Sequence, residues 1–271
     1  MNISGINYYL DVKTLSMVGG SSAGAQPKYF KDGYWYKLDH GGRQGYSEYL
    51  SSIVLSCSNI SNYVTYENCQ VNGKPGCRSK NFLGKEEILY SLETIYMIYT
   101  GESISQKVAA LPDAKSRIDF VTSWVQDKTR IDLTDYFSKI LTLDMLIVNT
   151  DRHFHNIGII GNPEEGTFRE APIFDNGDAL LCMAERIWPT LEENISHACA
   201  RTFSSNFEYQ AYVAGFGMKL DYDLLSTKLN KEPPSYSLSV LQHQIEKCRD
   251  YIPDEKISRT KKPLKKKGKS L

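Results

Sequence analysis

Among the chain's six cysteines (Cys57, Cys69, Cys77, Cys182, Cys199 and Cys248) there is no C-x-x-C pair and no zinc-ribbon spacing. Neither a dithiol redox motif nor a structural zinc module is therefore expected, and a chain of 271 residues needs no disulfide staples to hold a core. The first residues, MNISGINYYLDVK, lack both a basic head and an apolar stretch, so no signal peptide is expected. Long apolar runs are missing as well. The longest stretch without a charge, Tyr49–Tyr66, is interrupted by Ser51, Ser52, Ser56, Ser58 and Ser61. It reads as an amphipathic helix running into a strand, not as a membrane span. Nor is there an excess of either charge, with 32 basic and 32 acidic groups. The balance hides a segregation: residues 258–271 hold seven Lys or Arg and no acid, leaving 25 basic against 32 acidic groups in the body. That excludes a uniformly basic nucleic-acid binder. The expectation is a cytoplasmic, reduced protein with no transmembrane segment and no specific nucleic-acid binding.

What is present is a globular composition, 41% apolar and 24% charged. Residues 14–30 (TLSMVGGSSAGAQPKYF) are small and Gly-rich. Tyr34–Leu38 (YWYKL) reads as a short aromatic strand whose two-residue period sets Lys37 on the same side as Trp35. Tyr46, Leu50, Ile53, Val54 and Cys57 have helical spacing over 46–57. Residues 63–71 and 77–83 read as strands joined by a turn at 72–76 (NGKPG). Helical texture follows at 86–100, 115–127 and 132–148, then a strand at Ile157–Ile160, the segment Ala171–Leu180, and helices within 205–229 and 236–251. A β-rich front third thus precedes a helical back two-thirds. The Pro- and Gly-containing basic tail is expected to be disordered.

Three segments carry candidate chemistry. Asn149–Asn156 (NTDRHFHN) lies between an apolar helix and the apolar strand IGII, so it is a loop held between buried elements. Phosphoryl transfer needs a carboxylate to orient the attacking hydroxyl and an amide oxygen five residues on to help hold a metal ion, and Asp151 and Asn156 have that spacing. Ile173–Gly177 (IFDNG) places Asp175 just after a short apolar strand, where its carboxylate suits Mg²⁺, although Asp-Asn-Gly alone is an ordinary hairpin signal. In the front third, a Gly/Ser loop can turn backbone N–H groups onto phosphates. Lys37 is the only lysine between Lys31 and Lys74, and Glu48 the only acid between Asp39 and Glu67. A strand lysine and a helix glutamate of this kind can form the ion pair that aims the lysine at the α/β-phosphates.

Taken together, SSAGAQPK (21–28), YWYKL (34–38), NTDRHFHN (149–156) and IFDNG (173–177) resemble the HipA-like serine/threonine kinases. The resemblance implies an α+β, two-lobed protein-kinase-like fold, with a small β-rich N-lobe over residues 1–80, a larger helical C-lobe over 81–257, and the basic tail beyond. It implies that ATP and Mg²⁺ are used and that the Gly-rich loop at Ser21, Ser22, Ala23 and Gly24 contacts the nucleotide. Lys37 would contact phosphates, Glu48 would orient Lys37, Asp151 would act as acid/base, and Asn156 and Asp175 would hold the metal. It further implies a regulatory autophosphorylation serine at Ser21 or Ser22, where a phosphate would repel the bound nucleotide. A protein acceptor and an antitoxin partner are implied too, with the chain a toxin or effector. The Gly-rich stretch begins at residue 14, so the likeness is to a short, core-only form. The metal motif reads Asp-Asn-Gly rather than Asp-Phe-Gly.

Three other readings compete. Phosphoinositide kinases share an Asp-Arg-His-x-x-Asn loop, and a Lys-rich tail suits an anionic membrane, although AGAQPK is not their loop. A catalytically dead kinase fold acting as a binding module would be expected to lose Asp151, Asn156 or Asp175, and all three are present. His153 and His155 with His197 or Cys199 offer a transition-metal alternative.

Overall fold

The computed structural model describes residues 6–10, 27–183 and 188–255. The Gly-rich residues Ser21, Ser22, Ala23 and Gly24 and the basic tail lie outside the described residues. The architecture is mixed α+β. Strands β1 (Ile6–Tyr8), β2 (Lys28–Lys31), β3 (Tyr34–Leu38), β4 (Tyr66–Val71) and β5 (Lys74–Lys80) form a sheet of order β1-β4-β5-β3-β2. The β1–β4 pair is parallel and the other pairs are antiparallel. The β4–β5 hairpin turns on Asn72 and Gly73, both at positive φ (52° and 77°), the pattern of a two-residue type I′ turn. Lys74, Pro75 and Gly76, expected in that turn, belong to β5.

Helix α1 (Gln44–Ser56) crosses this sheet, packing on β4 and β5 on one side and on α8 (Tyr222–Leu229) on the other. Nearly every position of α1 is buried, as expected for a helix covered all round. Of its serines, Ser47 and Ser52 lie inside and are hydrogen-bonded to other elements. The Ser47 hydroxyl donates to the carbonyls of Asn176 and Ala179 (both 3.0 Å), and Ser52 Oγ accepts the Tyr66 N–H (2.9 Å). The helix starts under Asp39, whose carboxylate accepts the Gly45 N–H at 2.7 Å.

A second, antiparallel sheet joins β6 (Ile88–Ser91), β7 (Gly158–Asn162) and β8 (Thr167–Glu170). The rest is helical: α2 (Leu92–Thr100), α3 (Ile104–Ala109), α4 (Ala114–Thr129), α5 (Thr134–Ile147), α6 (Leu191–Ser196), α7 (Phe207–Ala214), α8 and α9 (Tyr236–Lys247). α5 is buried on almost all sides and lies in the main core, packed against α7 and α9. Among the described residues no helix is long and apolar enough to cross a membrane.

One expectation is corrected. Residues 86–100 do not form one helix: Ile88–Ser91 pair with Gly158–Gly161 as a strand, and the Ser91 hydroxyl then caps α2 by accepting the Thr94 N–H. The helices expected within 205–229 are α7 and α8: Gly215 (φ 98°) closes the first and Asp221 caps the second.

Candidate active site

Lys37 projects from β3, and Glu48 lies on the first turns of α1. The lysine Nζ meets Glu48 Oε1 at 2.5 Å and Asp175 Oδ1 at 2.7 Å. It also stands 5.0 Å from the centroid of the Tyr66 ring, a cation–π distance. Glu48 is wholly buried, and its second oxygen accepts the Asn176 N–H at 2.8 Å. Burial opposes charge on Lys37, but Asp175 and Glu48 overcome it and hold the ammonium protonated well above the ordinary lysine value. Burial also pushes the Glu48 carboxyl up, against the pull of Lys37.

The approach of α1 to β5 depends on missing side chains. A Cβ on Gly45 would stand 2.5 Å from the Gly76 carbonyl carbon, and one on Gly76 would collide with the Lys37 carbonyl oxygen. The helix therefore touches the strand backbone at Gly76, and the turn that follows brings Glu48 to Lys37.

Asp151 and Asn156 lie in the loop between α5 and β7. Val148, the residue that closes α5, is left-handed at φ 51°, a strained setting for a β-branched side chain. The loop is then fixed by its own amides: Asn149 Oδ1 accepts the Asp151 N–H (3.1 Å), and Asn156 Nδ2 donates to the Asp151 carbonyl (3.0 Å). Asp175, at φ 59°, follows Ile173, which bridges to Tyr63.

The two loops are tied together by Arg152, a role the sequence reading did not assign. Its guanidinium is fully buried. It pairs with Asp144 of α5, and its Nη1 donates to the carbonyls of Asn156 (3.0 Å) and Phe174 (2.7 Å). Nη2 reaches Asn176 Oδ1 at 2.5 Å. A single side chain thus holds the backbone of Asn156 and of the residue before Asp175. The available signal was Asp144, an acid inside the apolar run LTLDMLIV, where a carboxylate needs a partner.

Two further residues went unassigned. Lys28 faces Lys37 directly across the β2–β3 pair, and its Nζ stands 3.9 Å from Asp175 Oδ2. Burial lowers its pKa against the attraction of Asp175. Asp178 is raised by burial and then by the charges of Asp151 and Asp175, so three carboxylates share this region. Beside Lys37 lies a largely apolar cavity lined by Tyr66, Phe82, Leu83, Leu89 and Phe174. Its wall is braced by Asn81, which accepts from Trp35 Nε1 (3.3 Å) and donates to the Leu83 carbonyl (3.2 Å).

The structure thus brings Lys37, Glu48 and Asp175 into direct contact and links Asp151 and Asn156 to them through Arg152. His153 and His155 stack edge to face at 5.6 Å, but no group of three or more His, Cys, Asp or Glu able to hold a metal ion occurs among the described residues.

The fold has solved counterparts. The Helicobacter pylori proinflammatory kinase CtkA superposes with a TM-score of 0.61 at 15% identity, over 84% of this chain and 90% of that one. HipA of the Shewanella oneidensis MR-1 toxin–antitoxin system, solved with HipB and operator DNA, matches with a TM-score of 0.52 at 14% identity, over 88% of this chain and 66% of that one. The chain has the fold of HipA-like kinases. At such identities the HipA-like fold is visible in space and not in the sequence as a whole: no protein-family model and no curated protein matches the chain.

Proposed function

We propose that this chain is an ATP- and Mg²⁺-dependent serine/threonine protein kinase. The observation that carries the reading is Lys37 Nζ held between Glu48 (2.5 Å) and Asp175 (2.7 Å). A buried ammonium fixed by two carboxylates, one of them on a separate loop, is what phosphate binding beside a metal requires. In this reading residues 1–80 form the small lobe and 81–257 the large one.

The donor set suits magnesium. Asn156 turns its Nδ2 to the Asp151 carbonyl, which leaves Oδ1 for a cation, and Asp175 adds a carboxylate: few protein oxygens, as Mg²⁺ prefers when phosphates complete its shell. When bound, the metal supplies neutralisation of phosphate charge. Lys37 binds phosphate oxygens, Glu48 keeps Lys37 aimed, and the apolar cavity beside it takes the base. Asp151 orients the acceptor hydroxyl and receives its proton. Ser21 or Ser22 is the proposed autophosphorylation position, with Ala23 and Gly24 contributing to the phosphate-binding loop. HipA was solved with HipB, and an antitoxin-like partner is proposed for this chain on that likeness, with a toxin or effector role.

The test is mass spectrometry of the unmodified protein after incubation with Mg²⁺-ATP, beside Asp151→Asn. Phosphate on Ser21 or Ser22 in the wild type alone supports the reading. Absence of both phosphate transfer and ATP binding overturns it.

A further inference from the structure

Arg201 touches the Asp151 carboxylate from outside the catalytic loop. It lies in the connection between α6 and α7, and its Nη1 donates to Asp151 Oδ1 at 2.7 Å. The backbone beside it is firmly seated. The buried Thr202 hydroxyl donates to the Arg152 carbonyl at 2.6 Å, and Phe203, wholly buried, packs edge-on against Phe137 and Phe154. Arg117 Nη1 also donates to the Phe203 carbonyl at 2.9 Å. The Arg201 side chain itself is 60% exposed. A fixed backbone therefore delivers a guanidinium that is free to change partner.

Its present partner is the wrong one for catalysis. A carboxylate that receives a hydroxyl proton must turn an oxygen toward the acceptor. In this structure Oδ1 is occupied by Arg201, and Oδ2 stands 3.6 Å from His153 Nε2. An exposed ion pair of this kind is weak, whereas a planar guanidinium binds phosphate oxygens with matched geometry and stronger charge.

We propose that Arg201 is a phosphate-contacting residue: it rests on Asp151 in the nucleotide-free protein and shifts to the transferring phosphoryl group, which frees Asp151 Oδ1 for the acceptor hydroxyl. The inference rests on the kinase reading above. In the step itself the acceptor oxygen bonds to the γ-phosphorus, and the bond from that phosphorus to the β,γ-bridging oxygen breaks with its electron pair leaving on ADP. The hydroxyl proton goes to Asp151, and Arg201 exchanges no proton.

The test uses the full chain, Arg201→Ala and Arg201→Lys, titrated calorimetrically with Mg²⁺-ADP alone and with Mg²⁺-ADP plus aluminium fluoride, which mimics the phosphoryl group in flight. For Arg201→Ala, ADP affinity is expected to stay within about twofold of wild type. The gain from aluminium fluoride and kcat should each fall about 100-fold, the scale of losing one transition-state donor, with KM for ATP little changed and partial recovery in Arg201→Lys. An undiminished fluoride gain, a rise in kcat, or an equal loss with and without fluoride overturns the proposal while leaving the kinase reading in place. A wild-type chain that binds no ADP overturns both.

Discussion

The Arg152 guanidinium lies on both carboxylate oxygens of Asp144, at 3.1–3.2 Å, with neither side chain reaching solvent. Burial pushes the Asp144 carboxyl up, and Arg152 pulls it back. Asp144→Ala leaves a buried cation without its carboxylate, so a loss of about 3–5 kcal/mol is expected, read as a lower urea midpoint. A loss below about 1 kcal/mol would mean that Arg152 is satisfied by the Asn156, Phe174 and Asn176 oxygens alone.

Lys37→Met should destabilise the protein in a pH-dependent way. Without the ammonium, Glu48 remains buried beside Asp175, and its carboxyl, already raised by burial, rises further. The unfolded chain releases that proton near the ordinary glutamate value while the folded chain retains it, so the mutant loses stability as pH rises from that value toward the folded one. Wild-type Lys37 has the same sign in a higher pH window. Its raised pKa contributes stability in full below the ordinary lysine value, lost only as pH climbs through the folded one. The Tm gap between the two proteins is therefore expected to be wider at pH 8 than at pH 5. An equal gap would remove Glu48 as the source.

Much of the candidate site was legible in the sequence because its residues are locally isolated. Lys37 and Glu48 stand alone in long stretches free of like groups, and a two-residue strand period followed by a helix places each on a definable face. Asp151, Asn156 and Asp175 sit in polar loops between apolar elements, where a motif can be read without knowing the fold. What joins these pieces is non-local. Arg152 works through Asp144, Phe174 and Asn176, Lys28 acquires its meaning only through the β2–β3 register, and Arg201 reaches Asp151 through a loop fixed by buried neighbours. The same holds for β6, whose residues have helical spacing with α2 but pair with β7 some seventy residues later. Pairing at that distance leaves no local trace.

Asp175→Asn should separate metal use from folding. Its carboxylate is partly exposed and bonds Lys37, so the fold should survive with Glu48 still holding the lysine. The neutral amide is a poorer ligand for a hard cation. Titrating Mg²⁺ at fixed ATP should show a dependence that wild type has and the mutant lacks, with phosphoryl transfer lost. A mutant with wild-type magnesium dependence would take Asp175 out of the metal site.

Gly76→Ala should damage the site through the backbone. The added methyl would collide with the Lys37 carbonyl, since Gly76 sits beside Leu38 in the β3–β5 pair and beneath Gly45 of α1. Relief requires β3 or α1 to move, and either motion separates Lys37 from Glu48. Overpacking of this kind costs about 1–3 kcal/mol, but the larger effect is expected on nucleotide affinity, since the backbone that carries Lys37 must move and its 2.5 Å contact with Glu48 lengthens. Gly73→Ala is the control: its methyl would meet nothing, and only the φ of 77° opposes it. Weaker ATP binding in Gly76→Ala than in Gly73→Ala, at matched stability, is the expected result. Equal affinities would mean that the glycine contact serves packing alone.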